Sequence, residues 1–396
     1  MPVADALARV LDGAAHLQPE QVPLLQAAGR TLAHDLAAAL THPPFDASSM
    51  DGYAVRAADV ARIPCDLKLT GESAAGWPYA GSVRPGDAVR IFTGAPLPDG
   101  ADTVVIQEDV SALENRVRIH ATTVKGANIR PRAQDFHEGD AVLKAGTRLT
   151  ARHILLAASS GHAMLACIRR PLVAILATGD ELVEPCDRPQ AGQIVSSNSY
   201  GLAAMIEAAG GTARIIGIAR DDAQDLAQKI AESAGADILV TTGGASVGDY
   251  DLVRPALEAA GATLDFYKIA MRPGKPMFFG KRDGMRILGL PGNPVSAMIG
   301  ARVFLVPLIA RLLGRPDTLH PIPANLSAPM TANGPRDHYM RGRLDTSVNP
   351  PRVTPLPNQD SALVAALSDA DCLIVNPADT PALAEGAGVQ VLLLDF

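Results

Sequence analysis

Asp249 and Asp251 close a segment, Asp237 to Asp251, that reads Asp-Ile-Leu-Val-Thr-Thr-Gly-Gly-Ala-Ser-Val-Gly-Asp-Tyr-Asp. Ile238 to Val240 is a short apolar run, the pattern of a buried strand. Gly243 and Gly244 break that pattern, and side-chain-free backbone suits a close approach to a ligand. Ser246 and Gly248 continue the loop. A strand whose carboxyl end opens into a glycine loop is where open α/β sheets bind ligands. The free N–H groups of such a loop attract phosphate. Carboxylates beside it repel phosphate unless a divalent cation sits between them. These residues point to Mg2+-assisted chemistry on a phosphorylated ligand. A tight strand-to-helix turn with two solvated capping aspartates fits the same letters, and both readings stand.

Further acids fall at corresponding places. Thr178-Gly179-Asp180-Glu181 follows one apolar run, and Arg220-Asp221-Asp222 follows another. If those runs are parallel strands, their loops share one side of the sheet, so Asp180, Glu181, Asp221 and Asp249 converge. Four acids on one rim mark a metal or acid–base site. Lys268, Arg272 and Lys275 lie in the run Lys268 to Pro276 and suit an oxyanion. Leu288 to Ser296 adds Pro-Gly-Asn-Pro, a second glycine turn leading into a helix. Near the start, Pro44 to Ala54 packs Asp46, Ser48, Ser49 and Asp51 between apolar anchors. Read alone, that stretch is a loop feeding a strand at Tyr53 to Val55. Arg130 and Arg132 read as a solvated basic loop.

The elements that must hold these residues follow from hydrophobic period. Between 171 and 315, strands are predicted at Leu172 to Ala177, Thr212 to Ala219, Asp237 to Thr242, Thr263 to Ile269 and Arg286 to Leu290. Helices are predicted at Tyr200 to Ala209, Asp222 to Ser233, Val253 to Ala260 and Pro294 to Leu313, the last with Asn293 as N-cap and Pro294 at N1. Such alternation implies a mostly parallel sheet covered on both faces. Residues 46–135 alternate short β-like runs with turns and read as an inserted β domain. Residues 1–45 and 136–170, with helices predicted at 4–12, 19–28 and 151–160, read as an elongated connecting and dimerisation region. A proline-rich linker leads into 320–396, a C-terminal β domain with strand-like runs at Leu373 to Val375 and Val389 to Leu394. The fold class is multidomain α/β plus β, built on a mostly parallel α/β sandwich.

The totals exclude several classes. A chain of 396 residues is long for one core. A net charge of −7 argues against a nucleic-acid surface, and 4% aromatic residues against base-stacking platforms. With 35 glycines and 31 prolines, about one residue in six, many turns and structured loops are expected. Cys65, Cys167, Cys186 and Cys372 have no zinc-ribbon spacing and read as buried free thiols. The first residues lack a basic start and a long apolar core, so no signal peptide is expected. No stretch reaches about 18 uninterrupted apolar residues, so no membrane span is expected and residence is cytoplasmic.

Six segments, taken together and in order, resemble the molybdopterin molybdenumtransferase family, the bacterial MoeA proteins and the E domain of gephyrin. They are Ser-Met-Asp-Gly-Tyr-Ala (49–54), Thr-Gly-Ala-Pro-Leu-Pro-Asp-Gly-Ala-Asp (93–102), Thr-Gly-Asp-Glu-Leu (178–182), Gly-Gly-Ala-Ser-Val-Gly-Asp-Tyr-Asp (243–251), Pro-Gly-Lys-Pro (273–276) and Leu-Pro-Gly-Asn-Pro-Val-Ser-Ala (290–297). The resemblance implies an elongated homodimer of four-domain subunits. Its α/β domain binds the pterin, and the β insertion of the other subunit completes the cleft. The implied reaction joins molybdate to adenylylated molybdopterin and releases AMP with Mg2+. The family's acids fall on Asp51, Asp135, Glu181, Asp221 and Asp249 and its threonine on Thr93. Its basic positions fall on Lys268, Arg272 and Lys275, and positions associated with molybdate fall on Ser296, Arg341 and Ser361. Thr178, Gly243, Gly244, Ser246, Gly248, Pro276 and Asn293 complete the expected substrate set, with Glu181 and Asp249 as first choices for the metal. Expected partners are a molybdopterin adenylyltransferase and molybdoenzyme maturation proteins, with neither nucleic acid nor membrane. Arg272 stands where many relatives carry lysine, Gln134 where they usually carry glutamate, and Ser49 where alanine is common. Two alternatives are an adenylyltransferase and a non-catalytic assembly scaffold; the first is disfavoured by the residues flanking the α/β domain, the second by the retained acids and cations.

Overall fold

The computed structural model describes residues 1–244, 252–316 and 319–394. The chain divides into two compact units, one of Met1–Glu20, Gly29–Ala33 and Ala166–Phe396, the other of Gln21–Ala28 and His34–Leu165.

The first unit is built on a six-stranded sheet in the order Thr212–Ala219, Leu172–Thr178, Ile238–Thr242, Met285–Leu290, Phe278–Arg282, Thr263–Phe266. The first four run parallel, and Phe278–Arg282 runs against its two neighbours. Successive side chains of a strand face opposite ways. Val173, Ile175, Ile238, Val240, Leu288 and Leu290 enter one core with Leu202, Met205, Ile206 and Val295 from the helices Asn198–Ala209 and Pro294–Leu312. Ala174, Leu176, Leu239 and Ile287 enter the other with Leu226, Ile230, Val253 and Leu257 from Ala223–Ala231 and Val253–Ala259. Both faces are thus covered, which is why the central strands read as near-continuous apolar runs.

The sequence reading missed Phe278–Arg282. It returns through a tight turn in which Asp283 and Gly284 have φ of 47° and 85°, the backbone that a two-residue hairpin demands. Pro19 to Ala28, expected as a helix, forms instead a strand at Pro19–Pro23 and a short 3-10 turn at Leu24–Gln26. Pro23 has no N–H and breaks an interior turn. The helix from Pro294 to Leu312 is long and apolar enough by length and composition to cross a membrane, yet 83% of its most apolar stretch is buried within the protein, as a core helix. A π-type turn at Ala301–Leu305 precedes Pro307 and absorbs the missing donor. Cys167 and Cys372 are buried as expected, Cys65 is half-buried, and Cys186 is exposed.

The C-terminal strands Ile322–Leu326, Asp337–Asp345, Arg352–Pro355, Cys372–Asn376 and Gly388–Leu393 pair in a closed ring, because Asp337–Asp345 pairs with Cys372–Asn376 as well as with Arg352–Pro355. Closure removes open edges. Ala324, Leu326, Met330, Val353, Cys372, Ile374 and Val391 fill it. Met271–Arg272 adds a parallel pairing at one end of Asp337–Asp345.

The second unit carries a six-stranded sheet in the order Thr103–Ile106, Gly52–Val55, Asp87–Ile91, Cys65–Ser73, Arg116–Ile119, Val110–Ala112. All pairs are antiparallel except Cys65–Ser73 with Asp87–Ile91. Gly52 allows this packing, since a Cβ there would lie 2.0 Å from the Val105 carbonyl oxygen.

Candidate functional site

In the first unit, the parallel strands end together, and their loops enclose a cleft of about 550 Å³. Thr178, Thr242, Gly243, Gly244 and Pro291 to Pro294 line it from three strand ends, Glu181 and Ser196 to Asn198 from the loops beyond, Pro276 and Ala362 from later segments. A ligand cleft at the carboxyl ends of parallel strands is the expected place for this sheet type.

The glycine pair is needed by the chain itself. Gly243 has a φ of 90°, and a Cβ would stand 2.5 Å from the Thr178 carbonyl oxygen. At Gly244 a Cβ would meet Val253 at 2.2 Å. Packing of the loop against its own neighbours thus accounts for both, besides their place in the cleft wall. Thr178, 4% exposed, donates its hydroxyl to the Thr242 carbonyl at 3.4 Å. Ser246, Gly248, Asp249 and Asp251 lie outside the described residues.

Asp180, Glu181 and Asp221 do come together. The Asp221 N–H donates to Asp180 Oδ1 at 3.3 Å. Partial burial, then Asp180, then Glu181 push the Asp221 carboxyl above its ordinary range. Among the described residues no group of three metal-ligating side chains closes on a common point. The carboxylates are nonetheless the hard oxygen donors that suit Mg2+, and the Asp221 carboxyl is raised first by its partial burial and then by Asp180 and Glu181.

The turn after the last parallel strand is tied down from two directions. Asn293 stands at the helix N-cap position as expected, but its side chain does not cap; it donates to Ser361 Oγ at 2.9 Å. The Val295 N–H donates to the Ser361 carbonyl at 3.1 Å. Asn198 donates to the Gly292 carbonyl at 2.7 Å. Ser296 lies in the first turn of the helix, 4% exposed.

The cations do not all meet there. Arg341, expected to touch substrate, is 1% exposed, and its guanidinium donates to the carbonyls of Asn358, Asp360 and Leu363 at 3.1, 2.8 and 3.1 Å. It shapes the loop that carries Ser361. Arg272 lines a separate cleft with His338. Lys268 is exposed with its ammonium 5.2 Å above the Tyr267 ring centroid. Lys275 is exposed immediately before Pro276 of the cleft wall.

In the second unit, Asp51 and Thr93 form a fixed pair. The Thr93 N–H and hydroxyl both donate to Asp51 Oδ1, each at 2.8 Å. Those two bonds, and then the nearby charge of Arg90, hold the carboxyl below its usual range. Asp135 is exposed, with its N–H given to the His42 carbonyl at 3.1 Å. No hydrogen bond among the described residues joins its carboxylate to the Asp51–Thr93 pair.

Sequence reasoning missed Ser196 and Asn198 in the cleft wall and the interior place of Arg341. The only prior signal for the first two was their position just ahead of a predicted helix.

Family comparisons agree with this geometry along the chain. Residues 1–161 match the MoeA N-terminal region (domain I and II), 174–311 a probable molybdopterin binding domain, and 323–394 the MoeA C-terminal region (domain IV). A molybdopterin molybdenumtransferase of Nostoc sp. is 40% identical over 82% of this chain and 77% of its own length. One from Bacillus subtilis is 33% identical over 100% of this chain and 94% of its own. The crystal structure of a molybdopterin biosynthesis MoeA protein from Pyrococcus horikosii superposes with a TM-score of 0.86 at 30% identity, covering 100% of this chain and 99% of that one. With that strand-end cleft, those three matched regions and relatives alike over most of their length, this chain belongs to the molybdopterin molybdenumtransferase family of enzymes.

Proposed function

We propose that this enzyme inserts molybdate into adenylylated molybdopterin and releases AMP with Mg2+, giving molybdenum cofactor. The observation that carries the reading is the strand-end cleft, lined by Gly243, Gly244, Glu181 and Asn293, the last hydrogen-bonded to Ser361. Loop amides and helix N-termini favour the phosphoanhydride. Molybdate is a tetrahedral dianion, so it takes hydroxyl and ammonium donors, here Ser361, Ser296 and Lys275. Arg341 acts through the 358–363 loop. Glu181, with Asp249, would hold Mg2+. Bound there, the ion offsets the charge of the bridging phosphates. Asp221 and Asp180 keep the rim negative toward it. Asp51, oriented by Thr93, and Asp135 serve the same reaction from the β domain of a second subunit in a homodimer.

On this reading the chain comprises 1–45 with 136–170, 46–135, 171–315 and 320–396 as domains. It works in the cytoplasm and meets a molybdopterin adenylyltransferase and molybdoenzyme maturation proteins transiently. The test mixes purified protein, adenylylated molybdopterin, Mg2+ and molybdate. Release of AMP that depends on molybdate is expected. If no AMP appears, insertion is the wrong reaction.

A further inference from the structure

In the sheet of the second unit, Gly52–Val55 lies between Thr103–Ile106 and Asp87–Ile91. Arg90 on the last of these is the register partner of Tyr53, and Glu72 is the register partner of Arg90 on its other side. Partners directly opposite project to the same face. Gln107 follows Thr103–Ile106, and its N–H donates to the Asp51 carbonyl at 3.1 Å. Arg90 Nη2 donates to Gln107 Oε1 at 2.7 Å. To make that bond the Arg90 side chain crosses the strand into which Asp51 leads.

Two rings hold it in that crossing. The guanidinium carbon lies 4.9 Å from the Tyr53 ring centroid and 5.1 Å from the Phe92 ring centroid. Tyr53 is 8% exposed and packs with Val55, Leu67 and Val105, so its ring is a fixed platform. A guanidinium is drawn to an aromatic face, and its plane suits stacking. Carboxylates stand on the neighbouring elements: Asp51, Glu72 opposite Arg90, and Glu108, which accepts from Gln107 Nε2 at 3.5 Å. Arg90 forms no ion pair with any of them among the described residues.

A free arginine closes on a nearby carboxylate with two parallel bonds. This one is held short of Asp51 by the rings and by Gln107. Asp51 Oδ1 takes both Thr93 donors, and Oδ2 accepts from no described residue. The Arg90 charge still acts there, for after the two Thr93 bonds it helps to hold the carboxyl low against partial desolvation. The carboxylate thus stays ionised with one oxygen unspent.

We propose that Arg90 is a positioning residue for Asp51, clamped between Tyr53 and Phe92 so that its charge supports the carboxylate without closing on it, which leaves Oδ2 for the reaction. This rests on the part given to Asp51 in the reaction proposed above. Two readouts on the full chain test it. In AMP release, Arg90→Ala lowers kcat about tenfold with KM for molybdate within twofold, because Arg90 acts through Asp51 and not on the oxyanion. Millimolar guanidinium, which fits the emptied slot between the rings, restores turnover, and neutral urea of the same shape does not. Arg90→Lys keeps a charge without the plane and recovers part. The second readout is the Asp51 carboxyl carbon resonance, assigned with Asp51→Asn and followed as the pH is lowered. Its midpoint moves up in Arg90→Ala, and guanidinium moves it back. Arg90→Met, which keeps the stem between the rings, repeats the titration should the alanine protein not fold. A midpoint unmoved by the substitution, or urea as effective as guanidinium, overturns the assignment. The titration decides it even if the wild type releases no AMP, which would sink only the reaction.

Discussion

Asn293 Nδ2 donates to Ser361 Oγ at 2.9 Å and so joins the turn after the last parallel strand to a loop of the C-terminal barrel. Residues 68 positions apart are thereby tied together beside the strand-end cleft, which Asn293 and Ala362 line. The bond orients the Ser361 hydroxyl, which matters more than the bond's own stability of about 1 kcal/mol.

Replacing Asn293 by alanine should leave the fold intact and free that hydroxyl to turn. The expected result is a rise of about tenfold in KM for molybdate, with a fall in melting temperature of no more than a few degrees. Steady-state kinetics with varied molybdate decide it. An unchanged KM would remove Asn293 from oxyanion positioning.

Arg341→Met should be severe. It strands the carbonyls of Asn358, Asp360 and Leu363, each of which now accepts from the buried guanidinium. At about 1–3 kcal/mol for each unpaired buried acceptor, a loss of at least about 3 kcal/mol is expected in urea unfolding. Arg341→Lys restores charge without the planar fork and should recover only part.

Asp221→Asn tests the acidic rim. The Asp221 carboxyl is raised, so the folded state binds more protons than the unfolded chain just above the ordinary carboxylate range, and stability falls as pH rises through that window. The amide should therefore raise the melting temperature slightly at pH 7 and not at pH 3. Millimolar Mg2+ should narrow the gap by lowering the wild-type carboxyl. A destabilised variant at pH 7 would contradict the cost that burial, and then Asp180 and Glu181, place on the charged form.

His338 makes the opposite linkage. Its folded value of about 4 lies below the ordinary 6.5, so the unfolded chain binds the extra proton between those limits and stability is lost as pH falls from 6.5 toward 4. The full difference amounts to about 3 kcal/mol. His338→Gln should flatten the loss in that window, read by urea melts at pH 7 and pH 4.5.

Asp51→Asn keeps an acceptor for the Thr93 donors but removes the charge that they and Arg90 favour. Turnover should fall about 100-fold with the fold unchanged, and Thr93→Val should reproduce part of it. Turnover within threefold of wild type would exclude the Asp51 carboxylate from the reaction.

What the letters determined was local and periodic. Val173 and Ile175 alternate with Ala174 and Leu176, and that period of two with apolar residues on both phases already specified a strand covered on both sides. Pro294 behind Asn293 marked a helix start, and the loops carrying Asp180, Glu181 and Asp221 followed from placing strands in parallel. Tertiary structure alone decided which distant groups meet. Nothing adjacent to Arg341 shows that its donors end on Asn358, Asp360 and Leu363 rather than in the cleft, because the choice depends on barrel closure. Arg272 likewise reads as one of three clustered cations, yet its pairing opposite His338 carries it to another cavity. Period and turn chemistry act over a few residues. The partners of a buried charge are set by desolvation, which rewards whatever acceptors the completed fold brings near.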